Sequence, residues 1–219
     1  MEFIIFIQKM TGRIFIRCCI CLLLITCILS CKKERSKEIT GELLPAPREV
    51  KFKEGISINP KKVKTIYLYP AADDNDRFAA NLLIDEIRQL FKFSAKLEII
   101  KSFKDLSYPA IILGIPSEDR GFSEFCSGLP APQKDNEESY VIDVNKESVI
   151  ISGGGKAGLF YGVQTLIQLM EEAEWGNGSL QGLLIQDWPA MKLRMVHYNY
   201  FFHLDRYEYL KECIKKLAK

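Results

Sequence analysis

The chain has 219 residues, 47% hydrophobic and 26% charged, ordinary globular material for one medium domain and part of another. Its formal charge of +2 comes from residues 1–30, where Lys9, Arg13 and Arg17 stand against Glu2; beyond them acids and bases balance, which argues against a nucleic-acid partner. Only Cys126 and Cys213 of the seven cysteines lie beyond position 31, so neither a disulfide framework nor a zinc-ligand spacing is indicated.

Arg13 and Arg17 precede an apolar run over 18–29, and charge returns at Lys32-Lys33-Glu34-Arg35. This is the form of a secretory signal peptide over residues 1–30, with Met10 as a second candidate start. The run is shorter than the roughly 20 residues of a membrane-spanning helix. Ile28-Leu29-Ser30-Cys31 resembles a bacterial lipobox, which implies a lipid anchor on Cys31 and an exported protein held at the bacterial membrane, in the periplasm or at the cell surface. A cysteine-rich soluble export signal is the alternative. Residues 31–43 then read as a polar lipoprotein tether.

Pro45 and Pro47 fix an extended approach to the first strand, the region of Glu49-Val-Lys-Phe52 and Gly55-Ile-Ser-Ile58. Residues 65–69 are β-branched and aromatic, a strand closed by Pro70. Ala80, Leu83, Ile84, Ile87, Leu90 and Phe91 mark one face of a helix over 76–91, with Asp73, Asp74 or Asn75 as its N-cap. Strands follow over 96–100 and 110–113. Residues 117–137 lack a sustained period and contain Gly121, Gly128, Pro130 and Pro132, so they read as a long surface connection.

Tyr140, Ile142 and Val144 alternate with Val141, Asp143 and Asn145, the period of a half-buried strand. Asn145-Lys146-Glu147 links it tightly to the apolar run 148–152, giving an antiparallel hairpin. Gly153 to Gly155 release the chain, and Leu159, Phe160, Val163, Leu166, Ile167, Leu169 and Met170 recur at helical spacing, one apolar face to lie on the sheet. A last strand over 180–186 ends at Asp187-Trp188-Pro189. The fold class is α+β, an antiparallel or mixed sheet with two helices on one face. Beyond Pro189 a strand over 193–198 and a helix over 206–217 form one β/α unit.

The order Tyr140-Val-Ile-Asp-Val144, Val149-Ile-Ile-Ser-Gly-Gly154, Gly158-Leu-Phe-Tyr-Gly-Val-Gln-Thr-Leu166 and Ile185-Gln-Asp-Trp-Pro189 resembles the accessory domain that precedes the catalytic barrel in family 20 beta-N-acetylhexosaminidases. Related domains precede the barrels of some O-GlcNAcase-like enzymes and alpha-glucuronidases. The resemblance implies an accessory α+β domain over 44–189 and the start of a (β/α)8 barrel over 190–219. A whole barrel takes roughly 250 residues, more than this chain can add to that domain. It further implies the N-terminal portion of an exported glycoside hydrolase acting on terminal beta-N-acetylhexosamine residues of glycans, inactive alone. The alternative is a non-catalytic surface lipoprotein that binds glycans through the aromatic segment after Trp188.

In that family an arginine near the end of barrel strand 1 holds sugar hydroxyls, which points to Arg194 as a substrate-binding residue. The family's Arg-Gly and later aspartate are replaced here by Met195 and Asn199, so a structurally paired arginine is the competing reading. The family's catalytic Asp-Glu pair, which works with the substrate's own N-acetyl group, matches Asp85-Glu86 only by letter, on a helix of the accessory domain; no catalytic residue is assigned. Gly153-Gly-Gly155-Lys-Ala-Gly158 has the letters of a dinucleotide loop, but it follows the second arm of a hairpin and Asp187 is too distant; a P-loop needs Ser or Thr where Ala157 stands. No nucleotide or other cofactor is expected. His197 and His203, six apart, are a poor metal pair, and no metal is expected.

Overall fold

The computed structural model describes residues 43–176, 178–191, 194–195 and 207–218. Seven strands and four helices follow in the order β1 (Glu49–Ile58), β2 (Thr65–Leu68), α1 (Asp74–Phe91), β3 (Lys96–Ile99), β4 (Ala110–Gly114), α2 (Arg120–Phe125), β5 (Tyr140–Val144), β6 (Ser148–Gly153), α3 (Lys156–Trp175), β7 (Leu180–Asp187) and α4 (Tyr207–Ala218). Cys31, the leader, the tether up to residue 42, His197, His203 and the strand expected over 193–198 lie outside the described residues, apart from Arg194 and Met195.

The strands form one mixed sheet in the order β1-β7-β5-β6-β4-β2-β3. β1, β7, β5 and β6 pair antiparallel, and β6, β4, β2 and β3 pair parallel. The hairpin expected around Asn145 is β5–β6, closed by Asn145 N–H donating to the Ser148 carbonyl at 2.8 Å. β6 and β7 run the same way on either side of β5, so α3 crosses over an antiparallel strand, and no parallel βαβ unit is built on the glycine run.

α1 and α3 pack on each other and share one face of the sheet. α1 starts where Asp73 accepts from the Asn75 and Asp76 amides while Asp76 accepts from the Asp73 amide, a reciprocal cap. It ends at Lys92, whose φ of 59° turns the chain out of the helix. α3 buries Leu159, Val163, Leu166, Ile167, Leu169 and Met170, the apolar residues that recur at helical spacing. Leu43 and Leu44 run beside it, Leu44 exchanging main-chain hydrogen bonds with the Gln168 amide at 3.0 Å each way.

β5 and the 117–137 segment both depart from what their sequences lead one to expect. Every residue of β5 is buried, Asp143 as well as Ile142, so the strand is covered on both faces. The second cover comes from the segment expected to be a surface connection. Asp119 caps α2 through the Phe122 amide, and the Phe122 ring, fully buried, sits where a Cβ on Gly114 would meet it at 2.8 Å. Phe103 and Phe125 stack on each other at 5.1 Å beside it. Six residues of helix are too few to show a period, which is why the sequence conceals this layer.

The second face also holds a buried carboxylate. Asp143 is nearly fully buried and is bonded by Lys53 from β1 and by Asn145. Lys53 lies in a stretch where the β1–β7 register shifts between Phe52 and Ser57, and Gly55 supplies the positive φ of 67° that this irregularity needs. Cys126 lies on the same face; burial first, and then the charge of Asp143, push its thiol up to about 12.

The tightest approach in the fold lies at the start of α3. A Cβ on Gly158 would stand 2.0 Å from the Ser139 carbonyl oxygen, and one on Gly154 2.4 Å from that of Asn136. Gly158→Ala should therefore cost about 3 kcal/mol, the upper end of overpacking penalties, read as a lowered urea midpoint. Gly128→Ala, with nothing within 4 Å, should stay within about 0.5 kcal/mol of wild type.

Candidate functional site

The C-terminal ends of β2, β4 and β6 and the first turns of α1 and α3 meet at one edge of the sheet. Lys156, on the first turn of α3, donates to Asp76 Oδ2 and Glu118 Oε2 at 2.7 Å each and to the Tyr69 hydroxyl at 2.9 Å, with Asp73 Oδ2 at 3.3 Å. The Tyr69 phenol has one proton for two acceptors, Asp76 Oδ2 at 2.9 Å and Glu118 Oε2 at 2.5 Å. Burial opposes the charge on Lys156, but its hydrogen bonds to Asp76, Glu118 and Tyr69 outweigh that and hold its pKa above the usual lysine range. Burial, reinforced by the Glu118 hydrogen bond, likewise raises Tyr69. Sequence reading weighed Lys156 only as a failed P-loop lysine. Its partners come from three other segments, so no linear pattern joins the four.

The glycine run beside Lys156 is occupied by the chain itself. The Gly154 amide donates to the Ser139 carbonyl and the Gly158 amide to that of Glu137, both at 2.8 Å. Residues 136–139 thus lie across the opening of α3, where a bound phosphate would have to lie, and this crossing accounts for the spacing of the glycines.

A second set of contacts surrounds the end of β7. Asp187 accepts from the Tyr140 hydroxyl at 2.9 Å and from the Arg48 amide at 3.2 Å, and Tyr140 also bonds Thr165 on α3 at 2.7 Å. Burial first, and the Asp187 charge as well, raise the Tyr140 phenol well above its ordinary value. Arg48 donates from Nε to the Trp188 carbonyl at 2.9 Å and lies 5.2 Å from the centre of its ring. Arg194 is paired with Glu138, donates to the Met191 carbonyl at 3.1 Å and lies 5.9 Å from the Tyr161 ring. The Glu138 hydrogen bond is the main cause of its raised pKa.

Asp85 and Glu86 stand midway along α1, away from these two sets, and Asp85 is tied to Arg88 at 2.8 Å. Among the described residues no group of histidine, cysteine and carboxylate side chains could hold a metal ion.

A family model described as "Glycosyl hydrolase family 20, domain 2" matches residues 40–188. This chain belongs to glycosyl hydrolase family 20. A beta-hexosaminidase of Porphyromonas gingivalis is 26% identical over 212 residues, 94% of this chain and 25% of that protein. The chain thus spans about a quarter of the length of the curated relative it matches. The family 20 beta-N-acetylhexosaminidase of Streptomyces coelicolor superposes with a TM-score of 0.59 at 22% identity, covering 79% of this chain and 31% of that one. An exo beta-N-acetylglucosaminidase from Vibrio harveyi, solved with N-acetylglucosamine, gives 0.57 at 20% identity over 82% of this chain and 24% of that one. The mixed sheet described above is the fold of a family 20 domain 2, and the accessory-domain resemblance read from residues 140–189 is established.

The Lys156 cluster ties α1, α3, β2 and β4 of this domain together. Lys156→Met would leave Asp76 buried without its cation and should cost about 2–3 kcal/mol, below the full penalty for a buried pair because Lys156 is partly exposed. The raised groups also set a pH dependence. The folded state keeps protons that the unfolded chain loses from tyrosine near 10.0 and lysine near 10.5. This contribution is complete below those values and falls as pH rises above them. Denaturant midpoints should be flat from pH 7 to 9 in this respect and fall above about pH 10, less steeply in the Lys156→Met, Tyr69→Phe double variant.

Proposed function

We propose that the chain is the N-terminal portion of an exported glycoside hydrolase that acts on terminal beta-N-acetylhexosamine residues of glycans, and that the 219 residues alone do not turn over substrate. The family match over residues 40–188 carries the reading. In support, Asp85-Glu86, the only Asp-Glu in that order among the described residues, lies midway along α1, with Asp85 exposed and tied to Arg88. Residues 190–219 would be the first β/α unit of the barrel, for which the helix Tyr207–Ala218 has the amphipathic form.

Arg194 is the residue proposed to meet the sugar. Two of its five N–H groups go to Glu138 and the Met191 carbonyl, a fixed mount for a side chain that is still 41% exposed. Cys31 is proposed as the lipid anchor, with residues 1–30 removed on export and 31–43 as the tether.

A domain exchange tests the first claim. Residues 43–189 placed before the remainder of the Porphyromonas gingivalis beta-hexosaminidase should leave a soluble chimera that releases nitrophenol from nitrophenyl N-acetylglucosaminide; a folded but inactive chimera would count against it. The 219-residue chain should release none, and release would overturn the proposed inactivity. Metabolic labelling with an alkyne fatty acid should mark the wild-type protein and not Cys31→Ala; equal labelling of the two removes the anchor.

A further inference from the structure

On the face opposite α1 and α3, neighbouring strands place Glu49 of β1, Gln186 of β7 and Val141 of β5 side by side in register. The segment over this row is Ala131-Pro132-Gln133, and Ala131 and Pro132 have little side chain with which to fill the space. What remains is a cleft of about 200 Å³, closed at one end by Asp187 and Trp188.

The polar groups around it are held in place before any ligand arrives. Gln186 Nε2 donates to Glu49 Oε2 at 3.2 Å, and the Gln133 side-chain oxygen accepts from Asn136 Nδ2 at 3.2 Å. The Arg48 guanidinium lies over the Trp188 indole and donates to the Trp188 main-chain carbonyl. A carboxamide has two N–H groups and an acceptor oxygen. Gln133 therefore keeps both N–H groups and Gln186 keeps its oxygen and one N–H, while Glu49 adds carboxylate acceptors.

Donors and acceptors in such proportion suit hydroxyl groups, each of which is both. The two carboxylates and the lack of a lining cation disfavour phosphate, sulfate and acidic sugars. Trp188 and Pro132 add an apolar wall of the kind that meets the C–H face of a sugar ring. We propose that this cleft binds one neutral pyranose residue of a glycan, with Gln133, Gln186 and Glu49 on its hydroxyls and Trp188 against the ring. The choice of a sugar over other polyols rests on the family 20 reading; the site needs neither a barrel nor turnover.

The chain has two tryptophans, and Trp175 is 86% exposed at the end of α3. Trp175→Phe therefore leaves Trp188 as the single indole N–H signal in a heteronuclear NMR spectrum of the full chain. N-acetylglucosamine should shift that signal saturably in the millimolar range, while glycerol and glucuronate should not. Gln133→Ala and Gln186→Ala should each weaken binding about fivefold, the loss of one hydrogen bond, with the urea midpoint unchanged. No saturable shift, an equal response to glycerol, or a shift that both alanine variants leave intact would overturn the site. A negative titration leaves the domain exchange unaffected, so failure of the site and failure of the proposed function are told apart.

Discussion

One crossing of backbone over backbone determines where α3 lies. The strand Tyr140–Val144 is entered through residues 136–139, and these can reach it only by passing over the first turn of α3 at a distance that admits no Cβ at positions 154 and 158. The amides of those two glycines are bonded to the crossing chain, which satisfies donors that a helix start otherwise leaves open. With α3 seated in this way, Lys156 falls among three carboxylates, Thr165 reaches Tyr140 and Tyr161 lies beneath Arg194. The most specific phrase in the sequence is thus specific for reasons of packing.

Much of the domain was legible because its signals are local. The hairpin at Asn145, the cap at Asp73, the helices α1 and α3, and the strand ending at Asp187 each depend on residues within one turn or one strand of each other. What was hidden depends on distant partners. Alternation in β5 suggested an open face because Asp143 and Asn145 are polar, yet Lys53, ninety residues earlier, neutralises that carboxylate and allows the face to be covered. α2 was missed for want of length, although Phe122 and Phe125 were the apolar residues that could have betrayed it.

The candidate site divides in the same way. Arg194 was named through its resemblance to a barrel arginine, and the structure brings it to Glu138 and Tyr161 on the accessory domain, contacts that no spacing in the sequence indicates. Tyr69, Asp76, Glu118 and Lys156 are scattered over 88 positions and become neighbours only because β2, β4 and β6 are adjacent and parallel. Polar groups collected from several elements in this way have to be satisfied together or not at all. The conjunction therefore makes the ends of three strands and two helices a single unit in stability.

The two margins of the sheet carry a further consequence. β3 is four residues long, with Lys96 and Glu98 bonded to each other along it, and β1, the other margin, is interrupted at Gly55 and bears Lys51, Lys53 and Glu54. A foreign strand approaching either side meets a short or broken template lined with charge, and adding to it would strip water from those groups without repaying the loss. Growth by strand addition is blocked at both borders, so the sheet resists fibrillar self-association even though β4, β5 and β6 within it are among the most apolar stretches of the described chain.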